Sequence, residues 1–152
     1  MNRINRYLAF CFRLYLGGLF VYASLYKINF PAEFAESIAS YQILPYAFVN
    51  ITAIVLPWVE LLTGALLILG IRSKAAVSLI GVMLLFFTVA IVLSLTRDVS
   101  ISCGCFQSLE EEMSWRTFFR DVAWLLMAVH VYFFDNILLL ERRFSLRLRE
   151  VE

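Results

Sequence analysis

The chain has 152 residues, of which 62% are hydrophobic and 16% charged, with a formal net charge of +1. A soluble domain is nearer half apolar and a quarter charged, so this composition, with a mean hydropathy of +0.81, excludes an ordinary soluble domain and points to a membrane protein. No basic block is interleaved with aromatics in the manner of a nucleic-acid surface, and no nucleic acid is expected as a partner. The length suits a single domain with about four spans of roughly 20 residues each.

The first span is expected at 8–28 and carries Cys11, Arg13, the pair Gly17-Gly18 and, at its end, Lys27. Small residues let helices approach closely in lipid. The apolar stretch is longer than a signal-peptide core and lacks a small-x-small cleavage site, so it is read as a retained span. Pro31 then opens a short interfacial helix, which the Leu44-Pro45 turn closes, because a residue before proline avoids the helical region. The second span, 47–70, contains Pro57 and, one turn on, Glu60. The basic connection Ile71-Arg72-Ser73-Lys74 allows only a tight hairpin into a third span at 75–95, which holds no charge.

A polar stretch at 96–114 follows, with Cys103-Gly104-Cys105 and the acidic run Glu110-Glu111-Glu112. Ser114 is placed to cap the last span. That span is expected at 115–140 and carries Asp121, His130 and Asp135; the arginine-rich tail 141–152 reads as a surface-lying amphipathic piece. The expected fold is therefore all-α: a polytopic, four-transmembrane-helix bundle. Lysine and arginine in short loops mark the cytoplasmic side. Arg72, Lys74 and the tail share one face with the N-terminus, so both termini are expected in the cytoplasm. The 96–114 stretch then faces the oxidising side, where disulfides persist.

Chemistry is expected to start at Cys103 and Cys105. Residues i and i+2 can meet disulfide geometry in a bend, and Gly104 permits the bend. So small a ring removes little chain entropy and adds little stability, whereas strained, exposed disulfides are the labile, oxidising ones. A redox-active dithiol is favoured; a soft-metal site for copper or zinc and a structural pair stay open, and with them the alternatives of a metal-handling membrane protein or a non-catalytic membrane subunit or anchor of a periplasmic redox complex. Cys11, near the other end of its span, is read as a small buried apolar residue.

Ionisable groups inside a span are costly, face inward and pair. Depth counted along each helix puts Arg13, Glu60 and His130 in one inner layer, with an Arg13–Glu60 ion pair or a proton path or quinone contact there. Lys27 and Asp121 fall in an outer layer beneath the cysteines. There they form an interfacial pair, or Lys27 lowers a thiol pKa. These five residues are the candidates for any cofactor contact.

Three stretches carry a family resemblance: Arg13 through Lys27; Tyr41-Gln42-Ile43-Leu44-Pro45 with Leu56-Pro57-Trp58-Val59-Glu60; and Cys103-Gly104-Cys105-Phe106 with Arg120-Asp121. The first resembles the opening helix of DoxX-like proteins, and the others resemble the MauE branch of that family. Gln107 stands where a second glycine is usual, and Ala23-Ser24 where Ser-Gly is usual. The resemblance implies a four-helix protein of the bacterial inner membrane. It also implies disulfide traffic with a periplasmic thioredoxin-like partner, as in maturation of the disulfide-rich small subunit of methylamine dehydrogenase. By analogy with DsbB and VKOR bundles, a membrane quinone is the expected electron sink.

Overall fold

The computed structural model describes residues 3–40, 45–96 and 115–135. The expected loop 96–114 from Arg97 onward, the Ser114 cap and the tail 141–152 lie outside the described residues. Five helices form: α1 (Arg3–Asn29), α2 (Pro31–Ser40), α3 (Tyr46–Leu69), α4 (Ser73–Thr96) and α5 (Trp115–Phe134). No strand occurs among the described residues. All but α2 are long and apolar enough to cross a bilayer. Their outward sides carry large apolar residues such as Trp58, Leu62, Phe86, Phe119 and Leu126, a surface suited to lipid. The protein is a multi-pass membrane protein.

The long helices close a ring: α1 packs on α3 and α5, and α4 packs on both of these as well. Its core joins Leu16 and Phe20 of α1, Leu67 of α3, Ile80 and Leu84 of α4, and Trp124 and Ala128 of α5. Successive long helices run in opposite directions. The N-terminus and the α3–α4 hairpin therefore share one end, and the α1–α2 corner and the 97–114 connection share the other.

Local chemistry sets the joints. Only Phe30 separates α1 from α2. Pro31 cannot donate a backbone hydrogen bond, so it ends the first ladder and suits the first position of the next. At the hairpin, Gly70 takes a left-handed conformation (φ 70°), and Ile71 N–H donates to the Leu66 carbonyl at 3.1 Å. This is a glycine-capped helix end. Arg72 also has positive φ, 47°, so left-handed residues on either side of Ile71 turn the chain into Ser73. Pro57 is buried within α3, which runs on through it.

The α1–α3 seam is the closest in the bundle. A Cβ at Gly64 would stand 2.9 Å from the Gly17 carbonyl oxygen, whereas one at Gly18 would meet nothing within 4 Å. Of the pair singled out in the sequence, only Gly17 serves the approach, and its partner is Gly64. Gly17 and Val21 both face Gly64, so Asn29 comes level with α3 about two turns or more past its start. At 1.5 Å per residue, the first ~9–15 Å of α3 extend beyond α1. α2 folds alongside that extension, burying Phe34 and Ile38 against Val49 and Ala53.

Candidate polar sites inside the bundle

Two buried ion pairs join distant parts of the chain. Lys27 Nζ donates to Glu60 Oε1 at 2.7 Å and Oε2 at 2.9 Å. Arg13 Nη1 donates to Asp135 Oδ2 at 3.1 Å and Oδ1 at 3.3 Å. All four residues are at most 4% exposed.

These pairings correct the sequence expectation. Glu60 pairs with Lys27, not Arg13, so Arg13, Glu60 and His130 do not form one layer. Nor is Lys27–Asp121 an interfacial pair: Lys27 is 2% exposed, and its ammonium is bound to Glu60. The reason is the axial offset. Depth counting assumed that all spans start flush, but α3 begins well beyond the end of α1, which brings the Glu60 carboxylate within reach of Lys27. Cys11 is a second correction. It sits exposed on the outer surface of α1 instead of buried, because α1 turns its Ala9, Arg13 and Leu16 face inward.

The outer-end cluster contains more than the ion pair. Lys27 Nζ also lies 4.7 Å from the Phe34 ring centroid and 5.0 Å from that of Phe87, contacts that favour a cation over the ring face. Lys27 thus ties α1 to α2, α3 and α4 at once. Asp121 is buried on α5, and its Oδ2 lies 3.4 Å from Thr88 Oγ1 on α4. Arg120 lies 5.0 Å over the Trp124 ring. Lys27, Glu60, Arg120, Asp121, Phe87 and Trp124 line a common cavity of about 40 Å³. Lys27 and Asp121 therefore share a layer, as expected, without sharing a bond.

At the opposite end, His130 stands between Phe12 and Phe134, with centroids at 5.6 and 4.7 Å. The Arg13 guanidinium lies 5.0 Å over Phe10. Asp135 was noted in the sequence without a role. Its position one turn below His130, facing Arg13, was the missing partner.

Cys103 and Cys105 lie outside the described residues. The connection that holds them leaves α4 and enters α5 at the end where the Lys27–Glu60–Asp121 cluster lies. Asp121 is six residues into α5, roughly 9 Å from its start. Among the described residues no group of three His, Cys, Asp or Glu side chains stands together as a metal site.

The fold and site thus define a four-span membrane bundle whose buried charges are neutralised in pairs, with a cysteine pair in its longest inter-span connection. Residues 5–134 match the family described as methylamine utilisation protein MauE, and the chain belongs to that family. It is similar to methylamine utilization protein MauE of Paracoccus denitrificans, 29% identical over 121 residues, or 78% of this chain and 65% of the relative. It is also similar to the protein of the same name from Methylorubrum extorquens, 29% identical over 118 residues, or 76% of this chain and 63% of the relative. The chain spans somewhat under two-thirds of the length of these relatives. No solved structure matches it.

Proposed function

We propose that this protein is the membrane component of a thiol–disulfide exchange route. In this reading Cys103 and Cys105 cycle between dithiol and disulfide with a thioredoxin-like partner on the outer side of the bacterial inner membrane, both termini being cytoplasmic. A partner thiolate attacks the Cys103–Cys105 disulfide, the partner's second cysteine resolves the mixed disulfide, and two electrons and two protons pass to the pair. A membrane quinone that takes up those two electrons and two protons restores the disulfide. The names of the relatives suggest methylamine utilisation as the setting.

The observation that carries this reading is the Cys103-Gly104-Cys105 unit itself. It is a pair too close in sequence to staple the fold, in the longest polar connection between the four spans. The buried framework beneath it supports the reading. One ion pair and the Gly17–Gly64 seam join α1 to α3, the other ion pair joins α1 to the end of α5, and α4 packs along α5, a suitable mount for a short reactive loop.

The test is the redox state of the pair in intact cells. Thiols are trapped with a membrane-impermeant alkylating reagent, with and without prior mild reduction, and the added masses are counted. The reading predicts no addition at Cys103 and Cys105 before reduction, two after it, and a mixed disulfide with an outer-side protein in the Cys105→Ser or Cys103→Ser variant. Two thiols that stay reduced, or that react only after metal is stripped, would overturn it.

A further inference from the structure

A groove opens between α4 and α5 on the side that faces lipid, and it shares no lining residue with the outer cavity. It has a volume of about 290 Å³, and its lining includes Val77, Ser78, Gly81 and Leu85 of α4 and Ala128 and Tyr132 of α5. Only Ser78 and Tyr132 among the lining side chains carry a polar atom. The Ser78 hydroxyl is already used, donating to the Lys74 carbonyl at 2.8 Å. A cavity this poor in polar partners does not hold water. Within the bilayer, hydrocarbon fills it.

Gly81 opens the groove. A Cβ there would meet nothing within 4 Å, so this glycine does not serve a close helix approach inside the chain, as Gly17 and Gly64 do. Lys74, Ser78, Gly81 and Leu85 fall at i, i+4, i+7 and i+11, a single stripe along α4. Lys74 is the second residue of that helix and is exposed. Its side chain leans towards the helix N-terminus, which carries the ammonium out to headgroup depth. Arg72, also exposed, stands just before the helix at the same end. Neither cation forms an ion pair with a described residue. Tyr132 lies in the last turn of α5, at the interfacial depth where tyrosine is enriched. The apolar groove therefore runs up to a basic rim.

We propose that the groove binds one anionic phospholipid from the leaflet on the hairpin side, with an acyl chain lying along Gly81 and the phosphate meeting Lys74 and Arg72. The two cations select this occupant over a second copy of the chain. Copies inserted the same way in one bilayer would bring their basic hairpins together at one end, and like charges facing across an interface are penalised. The cations also select against a neutral amphiphile, since each one at an anionic headgroup is worth about a fivefold gain in affinity. The site rests on α4, α5 and their hairpin end, and it holds whether or not Cys103 and Cys105 exchange electrons.

The experiment is native mass spectrometry of the purified full chain, released from detergent micelles titrated with phosphatidylglycerol or with phosphatidylcholine of the same acyl chains. The wild type should take up one phosphatidylglycerol at roughly 25-fold lower concentration than phosphatidylcholine, from two cations at about fivefold each. Lys74→Gln should reduce that preference about fivefold. Gly81→Phe, which fills the groove and keeps every charge, should abolish the single tight adduct. Equal binding of the two lipids by the wild type, an unchanged preference in Lys74→Gln, or a tight adduct that survives Gly81→Phe would overturn the proposal. So would a dimer, or a co-purifying neutral quinone, that takes the place of the phospholipid adduct and is lost in Gly81→Phe. Far-UV circular dichroism checks that the helices of both variants are intact, and Lys74→Gln, at an exposed position, tests the headgroup contact independently of Gly81→Phe.

Discussion

Lys27→Met isolates the energetic role of the outer ion pair. The substitution keeps most of the apolar stem and removes the ammonium, leaving Glu60, 1% exposed, as an uncompensated buried charge. Removing one partner of a buried pair typically costs about 3–5 kcal/mol. The two ring contacts to Phe34 and Phe87 add about 0.5–2 kcal/mol each when desolvated, which places Lys27→Met at or above the upper part of that range. Glu60→Leu strands the cation but leaves it over both rings, so it should cost less than Lys27→Met. The double variant strands nothing, and replacing a buried pair by apolar residues is often neutral or better. It should fall within about 1 kcal/mol of the wild type, less whatever the ring contacts contributed. The assay is equilibrium unfolding from mixed micelles on titration with a denaturing detergent, followed by helical circular dichroism. Additivity of the two single variants within about 0.5 kcal/mol would refute the reasoning, because groups in contact are expected to couple by more than that.

Two further outcomes follow from the packing. Gly64→Ala should cost about 1–3 kcal/mol as overpacking, since its Cβ would meet the Gly17 carbonyl oxygen at 2.9 Å and Val21 at 3.1 Å; Gly18→Ala, facing open space, should leave the same unfolding midpoint unchanged or slightly raised. Arg13→Met should lose about 3–5 kcal/mol, because it strands Asp135, 4% exposed; an unchanged unfolding midpoint would disprove the assignment.

Hydropathy alone located the four spans, their order and the hairpin at Ile71-Arg72-Ser73-Lys74, because each depends only on residues adjacent in the chain. The second span was expected at 47–70, and α3 is Tyr46–Leu69 with Gly70 as its cap. The first helix starts at Arg3, five residues before the expected span. Arg3 and Arg6 end an apolar run but not a helix, since arginine is a good helix former. Which charge meets which was not legible in the same way. It depends on how far one helix slides along another, and α2 sets that slide by packing beside the first turns of α3. Nothing in the α3 sequence itself records the offset. A signal did exist at Gly64, which pairs with Gly17 and gives the α1–α3 register from small residues alone.

That register, combined with the direction in which helical side chains lean, accounts for the outer ion pair. Every Cα–Cβ bond tilts towards the N-terminus of its own helix. In an antiparallel pair, long side chains on facing helices therefore lean in opposite directions along the axis. They meet when the two Cα atoms are offset, each lying on the C-terminal side of the meeting point. Lys27 leans back into the bundle from near the end of α1, and Glu60 leans from deeper in α3 towards the same end, so they meet between. Arg13 on α1 meets Asp135, the residue that follows α5, at the other end. Asp121 lines the outer cavity together with Lys27, Glu60 and Arg120, so the layer beneath the cysteine connection holds two carboxylates and two cations.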